Sequence, residues 1–248
     1  MGRRQQGETS SKRQTRKEEL RKKQRQQRTI TLGALGIGAL LLLAVIIIPS
    51  VQRAANPAGD FVKITPVAYE NADGTKLGDP NVKAKIEVFE DFQCDACKTY
   101  VDDVQESVIE RIVKPGLAYY EFRQYPFLDD RNTIKDSDRS ALAAECAAEQ
   151  NLFWDYAHIL FANQTGITGQ FSDVRLTAYA KSIGMQVDQF ETCLAEAKYQ
   201  SKVDADLKLG TEMGVGGTPS VFVNGQEVSP GQVPSFDQIY QLVMQAQQ

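Results

Sequence analysis

Apolar and polar positions alternate along Ile86-Glu87-Val88-Phe89-Glu90-Asp91-Phe92, and directly afterwards Val101, Val104, Val108 and Ile112 recur at helical spacing. The pattern predicts a strand that turns straight into a helix, stopped near Val113 by Pro115-Gly116. Leu117–Phe127, with Tyr119, Tyr120, Phe122 and Tyr125, reads as the next strand. From Asp136 to about Met213 the period becomes helical: Ala-rich Ser137–Gln150, aromatic Leu152–Phe161, Ser172–Ile183 and a long stretch from Val187 onward. Strand character returns at Ser220–Val223, and Asn224-Gly225 predicts a tight hairpin into Gln226–Val228. Ser235-Phe236-Asp237-Gln238 fits a capping box opening a last helix, with Ile239, Leu242 and Val243 on one face. Ahead of all this, Phe61–Ile64 reads as an edge strand, and Asn71-Ala72-Asp73-Gly74 and Gly78-Asp79-Pro80 are turn signals. The order β-α-β, helices, β-β-α describes one α/β domain over residues 61–248, split by a helical insertion at about 128–213. No internal repeat is visible.

The first sixty residues follow another pattern. Ile30 to Ile48 is 19 residues without a charge, ending at Pro49. At about 1.5 Å per residue a helix of that length matches the hydrocarbon thickness of a bilayer, so 30–49 reads as a transmembrane helix in contact with membrane lipid. Residues 1–29 hold 11 Lys and Arg against 3 Asp and Glu, a balance of +8, while the remainder of the chain carries −12. That asymmetry predicts a cytoplasmic, disordered basic tail, a single-pass anchor and an extracytoplasmic domain after a linker at 50–60. A cleaved signal peptide fits less well, because its apolar stretch is usually shorter and Arg53 flanks the small-residue exit at Ala54-Ala55. The tail explains topology and lipid attraction with fewer assumptions than nucleic-acid binding, so no nucleic acid is expected.

Chemistry concentrates at the strand-to-helix turn. Cys94-Asp95-Ala96-Cys97 sets two cysteines three residues apart, a spacing that exchanges between dithiol and disulfide. Cys94 stands at the helix start, where unpaired N–H groups and the positive end of the dipole stabilise a thiolate, so it is the expected attacking sulfur and Cys97 the resolving one. An exported domain tolerates disulfides. With Cys94 and Cys97 forming a proximal pair, the simplest of three connectivities joins Cys146 to Cys193, a structural bond worth at most about 4 kcal/mol for a loop of about 48 residues. Two buried free thiols are the alternative. Zinc sites commonly need two close pairs and only one exists here, so no metal is expected. His158, the only histidine, reads as a packing or surface residue.

With these residues in view, the chain resembles the DsbA-like branch of the thioredoxin superfamily, in particular its membrane-anchored bacterial members. The resemblance rests on Gly78-Asp79-Pro80-Asn81, on Asp91-Phe92-Gln93-Cys94-Asp95-Ala96-Cys97-Lys98, on Ala143-Ala144-Glu145-Cys146-Ala147 with Phe153-Trp154, and on the run Gly214-Val215-Gly216-Gly217-Thr218-Pro219-Ser220-Val221-Phe222-Val223-Asn224-Gly225. It covers about residues 75–245. It implies a thioredoxin-like fold with a helical insertion and a cis Pro219 beside the cysteine pair. It also implies that Thr218 and Pro219 form the edge where an extended substrate segment docks.

Two departures from the family pattern matter. Many relatives carry Pro and then an aromatic residue or His between the cysteines, where this chain has Asp95 and Ala96; a carboxylate beside the sulfur predicts a higher Cys94 pKa and a weaker oxidant. Six residues before Cys94, where many relatives bury an acid, this chain has Val88. Glu87 and Asp91 have the other strand parity, whereas Glu90 shares the face of Val88 nearer the site, so Glu90 or water is the candidate for proton transfer, an exposed strand-end acid being the alternative reading of Glu90. The expected function is disulfide formation in reduced extracytoplasmic proteins, without a bound cofactor. The resemblance implies reoxidation by a quinone-linked membrane partner of DsbB or VKOR type. A reductase or isomerase using the same cysteines, and a non-catalytic chaperone-like binding module, are the rival readings.

Overall fold

In the computed structural model of the chain, the described residues are 56–131 and 134–248 together with shorter stretches between 21 and 51. Contacts divide the chain into two units, Met1–Pro57 and Ala58–Gln248. In the first unit the described residues from 21 to 51 are helical, and Leu41–Leu43 and Val45–Ile48 expose their apolar side chains. Among the described residues no helix is long and apolar enough to cross a membrane. Residues 30, 34, 36, 37, 39, 40 and 49 of the expected span lie outside the described residues, as do 1–20 of the basic tail and most of the linker up to residue 55.

In the second unit, six strands among the described residues make one sheet in the order β1-β2-β4-β3-β5-β6. They are β1 (Ala72–Asp73), β2 (Lys76–Leu77), β3 (Ala84–Glu90), β4 (Ala118–Gln124), β5 (Ser220–Val223) and β6 (Gln226–Glu227). β3 and β4 are parallel, with Ile86 opposite Tyr120, and β5 runs antiparallel to β3, with Val221 opposite Val88. A helix at 95–113, α1, makes the β3-to-β4 crossover. It is α-helical over Asp95–Tyr100 and passes through π-helical turns at Val101–Gln105 and Ile109–Val113. Val101, Val104, Val108 and Ile112, the helical stripe of the sequence, are all buried.

The insertion contributes α2 (Asp136–Ala148), α3 (Phe153–Ala162), α4 (Asp173–Ser182), α5 (Val187–Ala195) and α6 (Gln200–Glu212), and α7 (Phe236–Ala246) closes the chain. Ser235 and Gln238 form the expected capping box of α7. The long helix expected from Val187 is two helices. Ala197 adopts φ +46°, and Lys198 N–H donates to the Cys193 carbonyl at 3.1 Å, a left-handed helix ending built without the usual glycine. Cys146 on α2 and Cys193 on α5 are joined by a disulfide across the insertion, with Cα atoms 5.9 Å apart.

The expected edge strand at Phe61–Ile64 is not a strand. Residues 59–69 run over the insertion as an extended strap whose polar groups pair with side chains rather than a ladder. Val62 N–H donates to Asn163 Oδ1 at 2.7 Å, and Asn163 Nδ2 returns a bond to the Val62 carbonyl at 2.8 Å. Val67 N–H donates to Asp155 Oδ1 at 2.8 Å, and Phe61 packs edge-on against Tyr179. The actual edge is the β1-β2 hairpin, built from the turn-forming segment around Gly74.

Two apolar layers fix the sheet. On one face Ala84, Ile86 and Val88 pack against α1 and the insertion, where Phe92 stacks on Phe122 and meets Phe161 at a ring separation of 4.9 Å. On the other, Phe89 packs with Tyr125, Val215 and Phe222. Helix α6 approaches this second cluster through Gly210, where a Cβ would stand 2.6 Å from the Tyr125 ring.

Candidate active site

β3 ends at Glu90, and the next four residues turn the chain into α1. Asp91 holds that turn from inside: its Oδ1 accepts from Gln93 N–H at 2.8 Å and from Ser137 Oγ at 2.7 Å, and its Oδ2 accepts from Leu128 N–H at 3.1 Å. Burial raises its pKa to about 6, against these three bonds. Gln93 Nε2 reaches Ser137 Oγ at 2.6 Å and Asp129 Oδ1 at 3.2 Å, and Gln164 Nε2 donates to the Phe92 carbonyl at 3.0 Å. The turn is therefore fastened to the insertion on both sides. Asp91 and Gln93 lie inside the cysteine motif and Asp91 was legible only as an acid of the wrong strand parity. Ser137, Asp129 and Gln164 are distant in sequence and gave no signal.

Cys94 is the N-cap residue of α1, with extended φ −82° and ψ 118° and no side-chain cap of its own. Its Sγ donates to the Thr218 carbonyl at 3.2 Å, and the Thr218–Pro219 peptide is cis. The structure thus brings Cys94, Cys97, Thr218 and Pro219 together. Cys94 is half-buried and Cys97 fully buried, both as free thiols. A hydrogen bond from the Cys97 thiol, helped by the N–H groups of Cys97 and Ala96, lowers the Cys94 pKa from 9.0 to about 6 against partial burial. Burial drives Cys97 well above the usual thiol range. The largest contributions to Cys94 do not include the Asp95 carboxylate, which is exposed.

Glu90 is fully buried, not exposed at a strand end, and neither carboxylate oxygen has a hydrogen-bond partner among the described residues. Desolvation holds its pKa well above the usual carboxylate range, with the charge of Cys94 adding to the shift. Glu90 in turn raises the pKa of Cys97, so the three groups share one electrostatic environment. Glu87, of the opposite parity, is engaged elsewhere in an ion pair with Arg123 at 2.7 Å. His158 packs on the strap, its Nδ1 3.3 Å from the Tyr69 hydroxyl. Among the described residues no cluster of three metal-binding side chains exists.

Beside the sulfurs a groove of about 500 Å³ runs from Ala96 along Thr218 and Pro219 to Pro230 and Val233. A reactive sulfur at a helix N-terminus, a buried partner thiol one turn away, and an open main-chain edge alongside make an arrangement suited to passing a covalent bond between sulfurs.

Comparison with known proteins agrees with this architecture. Residues 70–241 match the thioredoxin family model Thioredoxin_4. A protein of Bacillus cereus named "Probable disulfide bond formation protein D" is 30% identical over 159 residues, covering 62% of this chain and 71% of its own length. Among solved structures, oxidised BdbD from Bacillus subtilis superposes with a TM-score of 0.61 at 21% identity, covering 76% of this chain and 98% of that one. DsbA of Chlamydia trachomatis superposes with a TM-score of 0.60 at 19% identity, covering 76% and 97%. The chain belongs to the DsbA-like thiol-disulfide oxidoreductases of the thioredoxin superfamily.

Proposed function

We propose that Cys94 and Cys97 are the redox pair of an enzyme that forms disulfides in reduced extracytoplasmic proteins, held at the membrane by residues 30–49. The observation that carries this reading is geometric: the Cys94 sulfur stands at the start of α1, 3.2 Å from the Thr218 carbonyl beside the cis Pro219, with Cys97 buried one turn on. In the oxidised enzyme a substrate thiolate attacks Cys94 Sγ. The Cys94–Cys97 bond breaks, a mixed disulfide forms, and Cys97 leaves with the electron pair. Glu90, whose burial holds its pKa well above the usual carboxylate range, supplies the proton that Cys97 needs in place of the acid missing at Val88. A second substrate thiolate then attacks the substrate sulfur of the mixed disulfide, and Cys94 departs as a thiolate. The substrate has lost two electrons and the enzyme has gained them as a dithiol.

A low pKa makes Cys94 a good leaving group, which favours release of oxidised substrate. Thr218 and Pro219 dock the extended substrate segment by main-chain pairing at the groove. The reduced pair is returned to the disulfide by a quinone-linked membrane partner of DsbB or VKOR type, and a tether raises the encounter frequency with it. A pKa of about 6 lies between the roughly 3.5 of strongly oxidising DsbA and the roughly 7 of thioredoxin, which keeps a reductase or isomerase as a second reading.

Trapping tests the proposal. In the full-length protein, Cys97→Ala should stall mixed disulfides with client proteins and with the redox partner at Cys94, and Cys94→Ser should abolish them. Absence of any trapped species, together with failure of the wild-type protein to form a 94–97 disulfide under oxidant, overturns the reading.

A further inference from the structure

We infer that Glu227 gives the groove beside Cys94 a preference for cysteine-bearing segments that carry a lysine or arginine close to the reacting cysteine. This rests on the proposed function and names a substrate class for the same site.

The groove is built mainly from main chain. Gly214, Gly216, Gly217 and Gly231 line it, and a Cβ placed on any of them would meet open space. Ala96, between the two cysteines, adds a single methyl group to the lining. An extended segment can therefore approach the backbone closely along the whole length, which supplies attachment with little discrimination between sequences. Discrimination has to come from side chains.

Among the described residues lining the groove, Glu227 is the single ionisable one. It sits on β6, opposite Phe222 of β5, with its Oε1 3.2 Å from Ser220 Oγ, whose one hydrogen is shared between Glu227 and the Gly217 carbonyl at 2.9 Å. A carboxylate accepts several hydrogen bonds, so this shared contact leaves most of its acceptor capacity for a cation. The surroundings carry the same sign. Asp95 stands exposed beside Ala96, and Lys98, the base in the first turns of α1, is engaged with Asp102 at 2.9 Å. The domain that carries the groove is itself acidic, the chain beyond residue 29 having a balance of −12. A cationic side chain next to a substrate cysteine gains attraction from Glu227, and it also lowers that cysteine's own pKa, which raises the fraction of attacking thiolate.

The test uses the full-length protein oxidised at Cys94–Cys97 and three dithiol peptides of identical length, with Lys, Gln or Glu flanking the first cysteine. Peptide oxidation is followed at low and at 0.5 M salt, and each rate is corrected for the peptide's own thiol pKa. The wild-type protein should oxidise the Lys peptide with a kcat/KM about two- to fivefold above that of the Gln peptide, the gain lying in KM and fading at high salt. Glu227→Gln, which keeps an acceptor for Ser220, should level the Lys and Gln peptides. Glu227→Lys should reverse the order in favour of the Glu peptide, a reversal that a merely structural role for Glu227 does not produce. Equal rates with all three peptides, or a Lys preference that survives Glu227→Gln, overturns the inference while leaving the proposed function in place. Failure to oxidise any of the three overturns the proposed function, and the inference with it.

Discussion

The ionisation of Cys94 is the property on which the chemistry turns, and its consequence for stability has a definite sign. A group whose pKa falls on folding adds stability above its unfolded pKa and loses it as pH drops through the folded one. For Cys94 those limits are about 9 and about 6. At pH 7 the folded thiol is mostly ionised and the unfolded thiol is not, and linkage converts this into about 1.4 kcal/mol in favour of the folded dithiol form. Because the sulfur is half-buried, solvent screening trims the figure to about 1 kcal/mol. The same free energy favours the dithiol over the disulfide, which makes the pair about 20 to 30 mV more oxidising than an unperturbed one. Two assays check this. Alkylation of the reduced protein by iodoacetamide should follow a titration with a midpoint near 6, and the stability of the reduced wild type relative to Cys94→Ser should rise from pH 5 to pH 9. An alkylation midpoint above about 8, or a stability difference flat across that range, refutes the account of how Cys97 and the helix start stabilise the thiolate.

Glu90→Leu should trade activity for stability. Removing a buried carboxyl without hydrogen-bond partners relieves a desolvation cost of about 1 to 3 kcal/mol, while loss of a proton-transfer group slows exchange by about 100-fold or more. Since the pKa of Glu90 is raised on folding, its penalty is absent below the unfolded pKa and grows as pH rises towards the folded one, so the gain in Tm should be larger at pH 8 than at pH 5; a Tm that does not rise, or unaltered turnover, contradicts the role given to Glu90. Gly210→Ala should lower the urea midpoint, because a Cβ 2.6 Å from the Tyr125 ring and 3.0 Å from Phe89 forces both pinned rings to move, a cost of about 1 to 3 kcal/mol that exceeds the helix-propensity gain of about 1 kcal/mol. An unchanged or higher midpoint would show that this interface yields easily.

The parts of the molecule legible in the sequence are those where a local rule and the tertiary fold coincide. The β3 alternation and the α1 stripe could be read because the same side chains that set the period also fill the core, and the Ser235 capping box because its partners lie within one turn. Ala197 was not legible: a left-handed residue that ends α5 is usually signalled by glycine, and here the surrounding helices impose that conformation on an alanine. The strap at 59–69 failed for a related reason. Its apolar residues resemble an edge strand, but their backbone partners are the side chains of Asn163 and Asp155, about a hundred residues away.

Glu90 shows how the two kinds of information combine at the site. Strand parity placed it on the face of Val88, two residues nearer the sulfurs, yet parity cannot tell a surface acid from a buried one at the end of a strand. The chain continues from Glu90 into Asp91, whose carboxylate bonds Ser137 and the Leu128 N–H, and this folds the insertion over the strand end. Tyr125 N–H then closes onto the Glu90 carbonyl at 2.9 Å, and the Glu90 side chain is sealed inside. The insertion is therefore more than a cover for the sheet. Through Asp91 it covers the strand end where Glu90 is buried, and that burial holds the Glu90 pKa well above the usual carboxylate range while the Cys94 pKa is lowered to about 6. The opposite shifts of Glu90 and Cys94 thus belong to one arrangement of helices, and Ser137→Ala, which cuts the Asp91–Ser137 link, should lower the Glu90 pKa in an infrared titration of its carboxyl band in the reduced protein, an unchanged titration refuting the connection.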